Sequence, residues 1–152
     1  MRQALFTLSA LLTGYFMLQM SNGLQGTLLA VRAEIEGFGA TAAGLVMSAF
    51  FGGMVLGSLF SGRLIERAGH VRTFAALASV ASAAALVHLL LVDQIAWIVI
   101  RSITGFCFAG LLIVVESWLN ASVASRERGR LLSIYAIVGM GAGVVGQLLL
   151  DI

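Results

Sequence analysis

Five long apolar runs, at about 4–31, 41–63, 73–92, 95–119 and 129–150, alternate with short polar breaks along this chain. A helix needs about 20 mostly apolar residues to cross a hydrocarbon core. The pattern therefore predicts five transmembrane helices in an all-α, polytopic membrane protein. The first break is Arg32-Ala33-Glu34-Ile35-Glu36-Gly37-Phe38-Gly39, the third only Asp93-Gln94, and the fourth runs from Ala124 to Arg130. The second is the most informative. One apolar run ends on Gly62, the next begins after Arg72, and between them Glu66 sits among Arg63, Arg67 and Arg72 with Gly69 where the chain must bend. Multi-spanning proteins join apolar helices by such short basic links on their cytoplasmic face.

Charge supplies the orientation. Arg2, the Arg63/Arg67/Arg72 turn and the Arg126/Arg128/Arg130 turn fall on one side of the five passes. The other side has Arg32 opposed by Glu34 and Glu36, together with Asp93 and Asp151. Cytoplasmic loops concentrate basic residues, which places the N-terminus inside and Asp151 outside. Only 11% of the chain is charged and 60% is hydrophobic, against about 25% charged in an ordinary soluble domain. All nine basic residues are arginines confined largely to the breaks, so the basic balance does not form a nucleic-acid stripe. The lone Cys107 lies inside an apolar run and can form no intrachain disulfide. A cleaved signal peptide is the other reading of residues 1–20, but the apolar run continues to about Val31 without a small-residue cleavage site.

Small residues mark where helices can approach closely in lipid. Gly53, Gly57 and Ser61 recur at four-residue spacing in the second helix, with Gly44 and Ser48 continuing the row; Gly139, Gly143 and Gly146 do the same in the fifth. Packing seams are the simplest account of these rows. Tyr15, Gln19, Asn22 and Gly26 share one face of the first helix, and that face must meet other helices or a watery cavity because unpartnered polar groups are costly in lipid. Substrate contact and interhelical hydrogen bonding account for it equally well. Arg101 lies roughly 9 Å into the fourth helix at 1.5 Å per residue. An embedded arginine costs about 2.5–3.5 kcal/mol, which makes it a functional candidate, with snorkelling to the outer interface as the alternative. Glu116, near the inner end of the same helix, is expected to form a structural ion pair with cytoplasmic arginines. His88 reads as an interfacial imidazole and His70 as solvated in the basic turn. No His, Cys or carboxylate cluster has metal-ligand spacing, no glycine-rich stretch forms a phosphate loop, and nothing supports an enzyme or a cofactor.

Gly62-x-x-x-Glu66-Arg67-x-Gly69-x-x-Arg72 resembles the signature joining helices two and three in the major facilitator superfamily of secondary transporters, and Arg101-x-x-x-Gly105-x-x-x-Ala109 resembles its fourth-helix signature. Val115-Glu116-Ser117-Trp118-Leu119 with Ser125-Arg126-Glu127-Arg128-Gly129-Arg130-Leu131-Leu132 is similar to the YcaD-type bacterial branch. The resemblance covers the whole chain. It implies a multi-pass protein of the bacterial inner membrane, carrying the N-terminal part of a two-half fold. It further implies that helices one and four line the central cavity, which turns Tyr15, Gln19, Asn22 and Arg101 towards it. The carboxylate at the position of Glu66 would brace a helix of the opposite half, with Arg67 in the same charge network and Gly69 permitting the turn.

There are departures from the pattern. Glu66 stands where the family has Asp, and the fifth helix lacks the Gly-Pro of the drug-antiporter signature. Five helices complete one three-helix repeat and leave the second short by one. The expectation is an incomplete N-terminal half, inactive alone, whose partners are the missing C-terminal helices, the bilayer, a small-molecule substrate and, left open, a coupling proton. A small helical membrane scaffold working through its glycine seams is the competing reading.

Overall fold

Each apolar run folds as a helix. The computed structural model describes residues 2–122 and 127–150 and shows α1 (Arg2–Ile35), α2 (Ala40–Ala68), α3 (His70–Leu90), α4 (Gln94–Ser122) and α5 (Arg128–Leu148), with no strand among the described residues. Arg126 and Asp151, two of the charges used for the topology, lie outside the described residues. Four helices, α2 to α5, are long and apolar enough to cross a membrane. The expected fifth span, α1, is not among them. Its Tyr15, Gln19, Asn22 and Gln25 interrupt the apolar run once per turn.

The first two links are shorter than the polarity pattern predicts. α2 does not end near Arg63 but continues through Glu66 and Arg67 to Ala68, and α3 starts at His70. Arginine and glutamate are good helix formers, so the helix outlasts its apolar run. Gly69 alone makes the turn, at φ 80° and ψ 164°, a conformation that glycine adopts without steric cost. Its N–H donates to the Ile65 carbonyl at 2.8 Å, and its carbonyl accepts from the Thr73 N–H at 3.1 Å. The Thr73 hydroxyl donates to the Leu64 carbonyl at 3.2 Å, tying the start of α3 to the end of α2.

The other described links are equally economical. Gly37, at φ 74°, turns the chain out of α1, while Arg32 pairs with Glu36 across 3.4 Å. Between α3 and α4, Asp93 is an N-cap: its Oδ1 accepts from the Ala96 N–H at 2.8 Å. Its backbone carbonyl accepts from the Trp97 N–H at 2.9 Å.

The helices divide into two compact units, Ala30–Val114 and Met1–Leu29 with Val115–Ile152. In the first, α2 buries Val46, Phe50, Gly53, Gly57 and Ser61 along one stripe. Gly53 and Gly57 lie against the Ser102 and Phe106 carbonyls of α4, where no Cβ would fit. Gly44 and Ser48, expected to extend this row, are exposed instead. The step from Ser48 to Gly53 is five residues, which at about 100° per residue turns both onto the face opposite the buried stripe. In the second unit, α5 buries Leu131, Tyr135, Gly139, Ala142 and Gly146. Gly146 packs on the Met20 backbone of α1.

Large apolar side chains cover much of the outer surface, among them Phe51, Val55, Leu59, Ile137 and Met140. A bilayer is the solvent that such a surface requires.

Candidate functional site

Two polar constellations lie inside these helices, one in each unit. In Ala30–Val114 the centre is Arg101 on α4. Its guanidinium stacks over the Phe50 ring of α2, 4.4 Å from the centroid. Only 4% of Arg101 is exposed, so the side chain turns into the protein and does not snorkel. Its Nε and Nη1 have no hydrogen-bond partner among the described residues.

One helical turn earlier on α4, Trp97 donates its indole N–H to the Leu91 carbonyl at 2.6 Å. Its ring packs against Phe38, with centroids 5.0 Å apart. The opposing residue on α3 is His88, edge-on to Trp97 at 5.8 Å and 2% exposed. Its Nδ1 lies 2.9 Å from the Ala84 carbonyl, while its Nε2 is buried without a partner. The charge of Arg101 acts on this imidazole. His88 is therefore a core residue, not an interfacial one. The sign that reveals it is register: Thr73, Leu77, Ala84 and His88 form the buried stripe of α3.

In the other unit, Tyr15 of α1 and Tyr135 of α5 stack face to face, with centroids 3.9 Å apart and planes inclined by 21°. Gln19 donates its amide to the Tyr15 hydroxyl at 3.1 Å, which joins two of the residues on the polar face read from the spacing in α1. Asn22 is half-buried on the same helix. Glu116 acts on the Tyr135 hydroxyl, while Arg126, one of the cytoplasmic arginines expected near it, lies outside the described residues. Nothing in the spacing pattern marks Tyr135.

The α2–α3 signature is held by backbone geometry. Gly69 forms the turn, whereas Gly62 lies inside α2 with open space around it. Glu66, Arg67 and Arg72 are exposed. Among the described residues no group of three or more His, Cys, Asp or Glu could hold a metal ion.

Comparison with known proteins shows the family. The model of the Major Facilitator Superfamily matches residues 11–150. An uncharacterized MFS-type transporter from Enterobacter sp. (strain 638) is 38% identical over 142 residues, covering 93% of this chain and 37% of that protein. The uncharacterized MFS-type transporter YcaD of Escherichia fergusonii is 34% identical over the same coverage, and YcaD of an Escherichia coli strain is 35% identical. The chain thus spans 37% of the length of these curated relatives. No solved structure matches it.

Proposed function

The chain belongs to the major facilitator superfamily, and we propose that its helices serve alternating-access transport of a small solute across the bacterial inner membrane. The observation that carries this reading is Arg101, a charge held inside an apolar bundle with two nitrogens unpartnered. Buried charge of this kind is retained for what it binds, since replacing it by an apolar side chain often stabilises a protein. The family is one of transporters rather than enzymes, and the apolar helices make the protein multi-pass.

In this reading the chain is the N-terminal portion of a transporter, with its N-terminus in the cytoplasm and five passes. Although α1 is the most polar of the five helices, in this reading it crosses with its polar face covered. Arg101 contacts the solute in its own unit, and Tyr15, Gln19 and Asn22 offer polar contacts in theirs. Glu66, Arg67 and Arg72, on the tight Gly69 turn, bias the transporter towards one of its two states.

The test is solute flux in proteoliposomes carrying the transporter that contains these helices, screened against a panel of organic anions, cations and sugars. Flux of one class that disappears in Arg101→Ala, with membrane insertion intact, is the expected result. Normal flux in that variant removes Arg101 from the solute path. No flux for any class removes the transport reading.

A further inference from the structure

Arg101 and His88 share an electrostatic problem. A cation–π contact such as that between Arg101 and Phe50 contributes about 0.5–2 kcal/mol. Removing a guanidinium from water costs several kcal/mol. Phe50 alone cannot balance that cost, and the two free N–H nitrogens of Arg101 call for an acceptor.

His88 defines what that acceptor must bring. The Ala84 carbonyl can only accept, so the hydrogen of the neutral ring sits on Nδ1. Nε2 is then a bare lone pair, buried and unpartnered. It becomes a donor only by taking a second proton, which would add a second cation within reach of the Arg101 charge among apolar helices. An anion between them removes that penalty. The two groups described in contact with His88 carry no charge: Trp97 on α4, whose indole N–H is already committed to Leu91, and the Ala84 carbonyl on its own helix. Arg101 is the charge that acts on it.

We propose that Arg101 and His88 form a binding site for a small organic carboxylate, which enters together with one proton carried on His88 Nε2. Phe50 closes the site on the side of α2, and the Phe38–Trp97 pair adjoins it at the start of α4. Binding of the carboxylate and of the proton are reciprocally coupled, because each offsets the charge of the other. The assignment deepens the transport reading, on which it rests for the carboxylate's role as cargo; the binding itself can be measured apart from transport.

The experiment uses the 152-residue chain in phosphatidylcholine nanodiscs. The chain has two tryptophans, so Trp118→Phe leaves Trp97 as the reporter. Sodium acetate and sodium benzoate are titrated while Trp97 emission is followed. The expected result is a saturable change whose affinity weakens about tenfold per pH unit above the imidazole titration, as uptake of one proton requires. Arg101→Gln should lose at least about tenfold in affinity, the cost of one charge-assisted hydrogen bond. Arg101→Lys should retain saturable binding, which keeps the test decisive if the glutamine variant fails to fold. His88→Gln should bind with no pH dependence.

A titration without saturation, or one unchanged in Arg101→Gln, overturns the proposal. Loss of the acetate response when phosphatidylglycerol is added to the disc assigns the site to a lipid phosphate and also overturns it. Solute flux that needs Arg101 while neither carboxylate binds would defeat this inference and leave the transport reading intact. Carboxylate binding without flux would do the reverse.

Discussion

Tyr15 and Tyr135 stack 3.9 Å apart because the residue one turn along α5 from Tyr135 is Gly139: a Cβ there would meet the Tyr15 hydroxyl. Close approach of α1 and α5 is therefore written into one hydrogen atom, and the aromatic pair fills the space it leaves.

Gly139→Ala should destabilise the protein by about 1–3 kcal/mol, the usual cost of overpacking a filled interface. Gly141→Ala, two residues on and facing open space, should be neutral or slightly stabilising because alanine is the better helix former. Thermal unfolding of the two variants in the same detergent checks the contrast. Equal melting temperatures would mean that the stack does not depend on Gly139.

The two glycines of the α2–α3 signature should behave in opposite ways. Gly69 holds φ 80° and ψ 164°, and forcing a side chain into so sparsely populated a conformation costs about 1–3 kcal/mol. Gly69→Ala should therefore lower stability by that amount. Gly62, mid-helix and unobstructed, should gain about 0.5–1 kcal/mol on substitution by alanine. If Gly62→Ala nevertheless impairs transport, its role belongs to a conformation other than this one.

Asp93→Ala should cost about 0.5–2 kcal/mol through loss of the α4 N-cap. Asp93→Asn keeps an acceptor oxygen and should recover most of it. Hydrogen exchange at the Ala96 and Trp97 amides reads the effect locally, with faster exchange expected in the alanine variant only.

The helices were legible in the sequence because twenty-residue apolar runs separated by arginines and acids leave little choice. Their ends were less so. Charge marks where a helix leaves the hydrocarbon, not where its hydrogen bonding stops, so the pattern ends α2 near Arg63 while the backbone carries on to Ala68. Arg101 stood out because an embedded charge is rare. His88 did not, since one histidine near a helix end looks the same at an interface as in a core; only its register with Thr73, Leu77 and Ala84 separates the two. The Tyr135 pairing was unreadable for a different reason: it depends on which helix Gly139 admits, and that is a property of packing rather than of spacing.

Arg101 should also separate stability from function. Replacing a buried, incompletely paired charge with an apolar side chain of similar volume is often neutral or stabilising, by about 1–4 kcal/mol. Arg101→Met should accordingly unfold at the same or higher temperature than the parent chain while losing the carboxylate response at Trp97. Phe50→Leu should weaken the parent by about 0.5–2 kcal/mol beyond its effect in the Arg101→Met background, the difference being the cation–π term. Unfolding free energies of the four proteins form a closed cycle that isolates this coupling. A cycle that sums to zero would mean that the guanidinium gains nothing from the ring beneath it. A marked loss of stability in Arg101→Met would show that the arginine already has a strong protein partner, and that the charge is structural.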